Sequence, residues 1–166
     1  MPSRREVLTR SLPALTGAVA QPAGAVLPDV LNVPDHEIFS RAIFDDYVAL
    51  YNAGDLAFTR YLTADVVMES SPPLVGRRAI ADHVSALRAY VTERISVEAY
   101  SAGRSMVMVQ VLAAYRCHRD LPVTALGAPF GQALCCGQEV RIRGSLLYEV
   151  EGGRFSRIRP GRAGTA

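Results

Sequence analysis

The chain is long enough for one globular domain with a substantial core, and its charge is close to balanced. Its 166 residues are 49% hydrophobic and 20% charged, and 18 Lys and Arg residues against 16 Asp and Glu residues give a formal net charge of +2 at pH 7. A nucleic-acid binder normally carries a clear positive excess, so this balance argues against nucleic acid as the partner. The sequence has no apolar run of about 18 residues, which predicts no membrane-spanning helix.

The cysteines do not indicate a disulfide framework or a metal centre. Cys117, Cys135 and Cys136 are odd in number, and adjacent cysteines bridge each other only with strain. No Cys-x-x-Cys or His-x-Cys spacing occurs, so the sequence predicts no metal site. It contains no phosphate-binding glycine loop either, and we therefore expect no organic cofactor.

The first thirty-three residues differ in composition from the rest of the chain. The segment SRREVL at residues 3–8 resembles the twin-arginine export signature, and a short, weakly apolar segment follows it. Small residues at 18–20 and 23–25 are typical of a signal-peptidase site. Export to the periplasm is the first interpretation of residues 1–33. A disordered cytoplasmic leader and a misassigned start codon are the alternatives, and Arg10 within the apolar segment favours them.

Helical periodicity dominates the start of the predicted domain, which spans residues 34–160. Asp35 is a possible N-cap for a helix of about five turns, whose apolar residues recur at three- and four-residue spacing as far as Tyr51. Gly54 can end this helix in the left-handed conformation. Asp55 then caps a short second helix.

A short strand and a third helix follow. The strand is predicted over residues 66–70, after a turn at 63–65, and two prolines end it because they cannot donate to a sheet ladder. The third helix has apolar residues at helical spacing as far as Val91. His83 lies one turn from two of these apolar residues and shares their inward face.

After residue 94 the hydrophobic period changes to two, which indicates strands. Strands are predicted at residues 95–99, 105–117, 138–150 and 155–158. A loop is predicted at 118–137, and a frayed tail at 161–166. The strand 105–117 is apolar on both faces and needs cover on both, from the helices on one side and most simply from a second subunit on the other. Helices followed by a meander predict an α+β fold, with the N-terminal helices packed in the concave face of a curved, mostly antiparallel sheet.

The order and spacing of these elements resemble the nuclear transport factor 2-like superfamily, in particular its SnoaL-like and ketosteroid-isomerase-like branches. The motifs are YxxxxNxGD at residues 47–55, ADVVxE at 64–69, a proline turn, GRxAI at 76–80 and GGRF at 152–155. The resemblance implies a cone-shaped fold with a deep apolar pocket for a small apolar ligand or substrate, and a homodimer through the outer face of the sheet. It implies no single activity, because isomerases, dehydratases, cyclases, epoxide hydrolases and binding domains share this fold.

The isomerase pattern, carried over residue by residue, is only partly filled. Its oxyanion-stabilising tyrosine falls at Tyr47, its proton-shuttling carboxylate at Ser70 and its second acid at Gly144. Serine is too weak a base at neutral pH, and glycine donates no side-chain hydrogen bond, so the usual isomerase chemistry is not expected. Glu69 is adjacent to Ser70, but successive strand residues face opposite sides, so only a bulge would turn it inward.

Two functions remain open at this stage. In the first, His83 is the acid/base, Tyr47 polarises a carbonyl, and Ser70 and Glu69 assist. The protein would then be a lyase, isomerase or cyclase for a small hydrophobic substrate that carries a carbonyl group. In the second, His83 only borders the core, hydrogen-bonded to backbone or water, and the fold is a non-catalytic binding or dimerisation module.

Four residues are predicted ligand contacts. Tyr51 either hydrogen-bonds to Tyr47 or simply packs against it. Gln110 is the one polar residue in the apolar central strand, so it needs a partner, either ligand or backbone. Met68 and Gly144 complete the set.

Overall fold

The computed structural model describes residues 39–122, 133–161 and 164–165. The predicted leader, Asp35 and part of the predicted loop lie outside these residues. The elements are helix α1 (Arg41–Ala53), a 3₁₀ helix (Leu56–Tyr61), β1 (Leu62–Met68), β2 (Leu74–Val75), α2 (Arg77–Arg88), β3 (Val91–Ala102), β4 (Met106–Cys117), β5 (Glu139–Glu151), β6 (Arg154–Pro160) and β7 (Gly164–Thr165). None of the described helices has the length and apolar character needed to cross a membrane.

The described strands form one sheet in the order β2-β1-β6-β5-β4-β3, and β7 pairs with β5. All neighbouring strands are antiparallel except β1 and β6, which are parallel. Register shifts at Val97/Ala99 in β3 and Glu149/Val150 in β5 are sites where a bulge bends a strand. The predicted α+β class, with helices first and a mostly antiparallel sheet, is confirmed. The expected frayed tail contains the short strand β7.

The caps of the first two helices follow from the sequence, with one correction. The side chain of Ser40 caps α1 by accepting a hydrogen bond from the Ile43 N–H at 3.3 Å, so the cap of this helix is not Asp35. Gly54 ends α1 in the left-handed conformation at φ 78°. Asp55 caps the next helix by accepting from the Ala57 N–H at 2.8 Å, but that helix is 3₁₀ rather than α.

The strand boundaries differ from the prediction at two places that matter for the site. Residues 63–65, expected to turn, belong to β1. Val91, expected to continue the third helix, begins β3 instead. The helix ends because the Tyr90 N–H bonds to the Leu87 carbonyl at 3.0 Å, after which Val91 pairs with Cys117 on β4. A buried valine fits both a helical and a strand pattern, so the period alone could not place this boundary.

An aromatic cluster fixes α1 against the inner face of the sheet. The Phe44 ring lies 5.4 Å from Tyr148 and 6.1 Å from Phe155, both at steep interplanar angles, as edge-to-face contacts require. Tyr47 packs the same way, 5.2 Å from Phe155 and 6.1 Å from Tyr148. The position of the Tyr47 phenol is therefore set by the core.

Strand β4 has two apolar faces, as predicted. Val107, Val109 and Val111 are buried on the inner face. Met106 and Met108 lie on the outer face and are 51% and 54% exposed. The helices thus cover one side of β4, and the outer side carries large apolar side chains in contact with solvent.

Asn52 ties α1 to β3. Its side-chain amide donates to the Ile95 carbonyl, and its side-chain oxygen accepts from the Ile95 N–H, both at 2.8 Å. These two bonds satisfy both backbone groups of one strand residue at a half-buried position. The asparagine of the YxxxxNxGD motif is therefore structural.

Replacing Asn52 with alanine is expected to lower the free energy of unfolding by about 2 kcal/mol, because each lost hydrogen bond contributes about 1 kcal/mol. Urea unfolding measures the change. The control is Asp45→Ala, which removes an exposed ion pair with Arg41 on the same helix and should cost less than about 1 kcal/mol. Equal losses in the two variants would contradict the role of Asn52.

Candidate functional site

A cavity of about 600 Å³ lies between the inner face of the sheet and the helices. Its volume falls within the range of about 300–1,000 Å³ that is typical of small-molecule sites. Aliphatic and aromatic side chains form most of its wall. Its polar lining consists of Tyr47, Tyr51, Ser70, Ser71, His83, Glu93, Tyr115, Ser145 and Tyr148.

The structure brings most of the predicted site residues to this cavity. Those that line it are Tyr47, Tyr51, Met68, Ser70, His83 and Gly144. The Ser70 hydroxyl donates to the Pro72 carbonyl at 2.8 Å and is exposed, so it lies in the proline turn and has no base beside it to activate it.

Glu69 does not reach the cavity. Its carboxylate accepts hydrogen bonds from Arg157 at 3.1 Å and Arg159 at 2.9 Å. The hydrogen bond from Arg157, together with that from Arg159, holds the pKa of this carboxyl below its usual range. The Met68 side chain points into the cavity. Because no bulge separates Met68 from Glu69, the Glu69 side chain points to the opposite face of the sheet.

Gln110 does not reach the cavity either. It is exposed on the outer face of β4, because Val109 and Val111 on either side of it point inward. A polar residue at this position is in contact with water, so it needs neither a ligand nor a backbone partner.

Glu93 is a buried cavity residue that sequence reasoning missed. Its side chain lines the cavity, and the residue is only 7% exposed. The Tyr51 hydroxyl donates to a Glu93 carboxylate oxygen at 2.5 Å. Tyr115, directly opposite on β4, also hydrogen-bonds to Glu93. A buried carboxylate is thus held by two phenols at the wall of an apolar cavity, where charge is costly unless hydrogen-bonded.

A signal for Glu93 was present in the sequence. Val91, Glu93, Ile95 and Val97 alternate with polar residues at positions 92, 94, 96 and 98, all four of which are exposed, so the period of two extends back to residue 91. Because Val91 also fits the helical spacing, the predicted strand begins only at residue 95, and Glu93 is not recognised as an inward-facing strand residue.

Tyr47 and Tyr148 form a second polar group in the cavity. Both residues are buried, and their hydroxyls hydrogen-bond to each other. Burial raises the pKa of both phenols far above the ordinary value. Each therefore keeps its proton at neutral pH and can serve as a hydrogen-bond donor.

His83 lies half-buried on α2, on the same helix face as the buried Ile80 and Leu87. Burial lowers the pKa of its imidazole, and the nearby charge of Glu93 opposes that effect without cancelling it. The imidazole is therefore mostly neutral at pH 7 and able to accept a proton. Within the described parts of the chain, no group of three or more His, Cys, Asp or Glu side chains could hold a metal ion.

No family model and no curated protein matches the chain. Solved structures do match it, at low sequence identity. A nuclear transport factor 2-like protein of unknown function from Burkholderia pseudomallei shares 11% identity at a TM-score of 0.55, over 70% of this chain and 85% of that one. The chain has the nuclear transport factor 2-like fold.

Two further structures that match the chain differ in what their names record. A candidate polyketide cyclase from Xanthomonas campestris pv. campestris shares 21% identity at a TM-score of 0.59, over 72% of this chain and 86% of that one. A Mycobacterium tuberculosis protein in complex with estradiol-17beta-hemisuccinate shares 14% identity at a TM-score of 0.57, over 75% and 93%. The nuclear transport factor 2-like resemblance drawn from the motifs is confirmed for the fold, and the fold alone does not specify an activity.

Proposed function

We propose that this protein is a cofactor-independent enzyme that moves a proton on a small, hydrophobic, carbonyl-bearing substrate, as a lyase, isomerase or cyclase. One observation carries the proposal: a neutral imidazole, a buried carboxylate and a pair of protonated phenols line the same apolar cavity. Groups with shifted pKa values that share a cavity are typical of acid–base sites.

His83 is the general base in this proposal. A neutral imidazole can take the proton from a carbon next to the substrate carbonyl and return it at another position. The negative charge of the Glu93 carboxylate stabilises the imidazolium that forms, since this charge raises the pKa of His83. The Tyr51 and Tyr115 phenols hold that carboxylate in place.

Tyr47 is the electrophilic group. When the proton leaves, negative charge develops on the carbonyl oxygen, and a fixed phenol in a site with little water stabilises that charge strongly. Tyr148 supports Tyr47 through the hydrogen bond between their hydroxyls, and such linked bonds strengthen one another. We assign no role in this reaction to Glu69 or Gln110, because neither side chain lines the cavity.

Deuterium exchange tests the proposal without knowledge of the natural substrate. We expect the protein to accelerate incorporation of deuterium from D₂O next to the carbonyl of apolar ketones such as 2-tetralone, as followed by mass spectrometry. Serum albumin at equal concentration controls for non-specific binding. Ketones that bind in the cavity, as shown by NMR, but exchange no faster than in buffer would refute the enzymatic proposal.

The second candidate function is ligand binding without catalysis. It is favoured by Ser70 and Gly144, which stand where the isomerase pattern has carboxyl groups, and by the apolar wall of the cavity. A neighbour of the same fold was solved in complex with estradiol-17beta-hemisuccinate, which shows that the fold can hold a small apolar ligand. Binding without exchange in the experiment above would support this function.

Two properties of the whole chain belong to the proposal. The exposed Met106 and Met108 support a homodimer through the outer face of the sheet, since burying apolar side chains favours association. Analytical ultracentrifugation tests the homodimer, and a monomer at micromolar concentration would count against it.

The pattern of residues 1–33 supports export to the periplasm, and the mass of the protein in a periplasmic fraction tests this proposal.

A further inference from the structure

We infer that the cavity selects a ligand that carries an organic ammonium group, a small hydrophobic amine or quaternary ammonium compound, with the cation next to Glu93. This selectivity concerns binding alone and holds whether or not the protein turns a substrate over. It arises from the charge of the cavity, the free capacity of the Glu93 carboxylate and the aromatic rings around it.

The cavity carries one formal negative charge with no matching cation in its wall. Among the described residues that line it, none is Lys, Arg or Asp, and Glu93 is the single carboxylate. His83 is the remaining ionisable group that can become positive there. Arg88 lies 5.1 Å from the centre of the Tyr51 ring, but its guanidinium bonds to the Tyr51 carbonyl oxygen and is not part of the lining.

The Glu93 carboxylate has room for a ligand. A carboxylate can accept about four hydrogen bonds, and the phenols of Tyr51 and Tyr115 supply two of them. Neutral phenol donors hold the carboxylate in place but leave its charge uncompensated. A cation that enters the cavity supplies the missing charge at a position where water screens it little.

Aromatic rings line the same cavity as this carboxylate. Tyr51 and Phe58 lie 5.3 Å apart at 69°, and Tyr47 lies 6.1 Å from Phe58 at 72°. All three rings line the cavity, as does Tyr115. The faces of such rings attract cations, and quaternary ammonium ligands are recognised by aromatic cages of this kind. An aromatic wall with a buried carboxylate therefore favours an ammonium group and disfavours an anion.

Three probes of similar shape test the inference: phenyltrimethylammonium, neutral tert-butylbenzene and anionic benzenesulfonate. Their affinities are measured by ligand-observed NMR at pH 8, where His83 is neutral and does not compete for Glu93. We expect the wild type to bind phenyltrimethylammonium at least about tenfold more tightly than benzenesulfonate, from the charge and cation–π attractions together. Equal affinities, or no binding of the cation, would overturn the inference.

Glu93→Gln removes the charge with almost no change in shape. It should weaken phenyltrimethylammonium by about tenfold or more and change tert-butylbenzene by no more than about threefold. Glu98→Gln is the matched control: this carboxylate is exposed, bonds to Arg143 outside the cavity, and should leave both affinities unchanged. An equal loss for the cation and the neutral probe would show a merely structural role and overturn the inference.

If Glu93→Gln does not fold, the wild-type affinities for phenyltrimethylammonium and benzenesulfonate still decide the test. They also separate this inference from the proposed function. Ketone exchange without a preference for the cation would support the enzymatic proposal and overturn the inference of an ammonium ligand. A preference for the cation without ketone exchange would support the ammonium ligand and refute the enzymatic proposal.

Discussion

Replacing His83 with glutamine is expected to lower the rate of ketone deuterium exchange by about 10²–10⁴-fold, which is the usual contribution of a general base. Glutamine keeps the polarity and approximate volume of the side chain but cannot accept a proton near pH 7. The control is Asp82→Asn on the same helix, which alters an exposed residue paired with Arg78 and should leave the rate unchanged. A His83→Gln protein with the wild-type rate would remove this residue from the mechanism.

The pH dependence of the wild-type rate provides a separate test of His83. The neutral imidazole is the active form, so the rate should be constant at high pH and fall as the pH drops through the pKa of His83. Burial lowers that pKa, so the midpoint should lie below the ordinary histidine value of about 6.5. The His83→Gln variant should lose this step. A midpoint above 6.5 would show that charge attraction, not burial, dominates at His83.

Replacing Tyr47 with phenylalanine is expected to lower the exchange rate by about 10²–10³-fold, the usual effect of removing one donor from an oxyanion site. The ring stays in its aromatic cluster, so the protein should fold and bind ketones as before. Tyr148→Phe should have a smaller effect, because it removes the support for the donor and leaves the donor in place.

Tyr100→Phe is the matched control for Tyr47→Phe. The Tyr100 hydroxyl donates to the Phe39 carbonyl, and the residue does not line the cavity. Its loss should leave the exchange rate unchanged. Equal rate losses in Tyr47→Phe and Tyr100→Phe would indicate damage to the fold and would contradict a role for the Tyr47 phenol in the reaction.

Local sequence determined much of the framework of this protein. Gly54 and Asp55 end one helix and begin the next through bonds that span only a few residues, so their types predict their roles. Helical periodicity also placed Tyr47 and His83 on inward faces. The motifs that carry the fold resemblance, such as the one containing Asn52, lie in the same continuous stretches of chain.

The tertiary structure decided which charged and polar groups meet. Glu93, Tyr51 and Tyr115 come from β3, α1 and β4, and they converge because of the register between β3 and β4 and the docking of α1 on β3. Neither the strand register nor the docking of the helix can be inferred from the hydrophobic periodicity of a single segment. The outward positions of Glu69 and Gln110 likewise depend on which face of the sheet the helices cover. Burial and pKa are properties of that three-dimensional environment, so the candidate site could be outlined from the sequence but not completed from it.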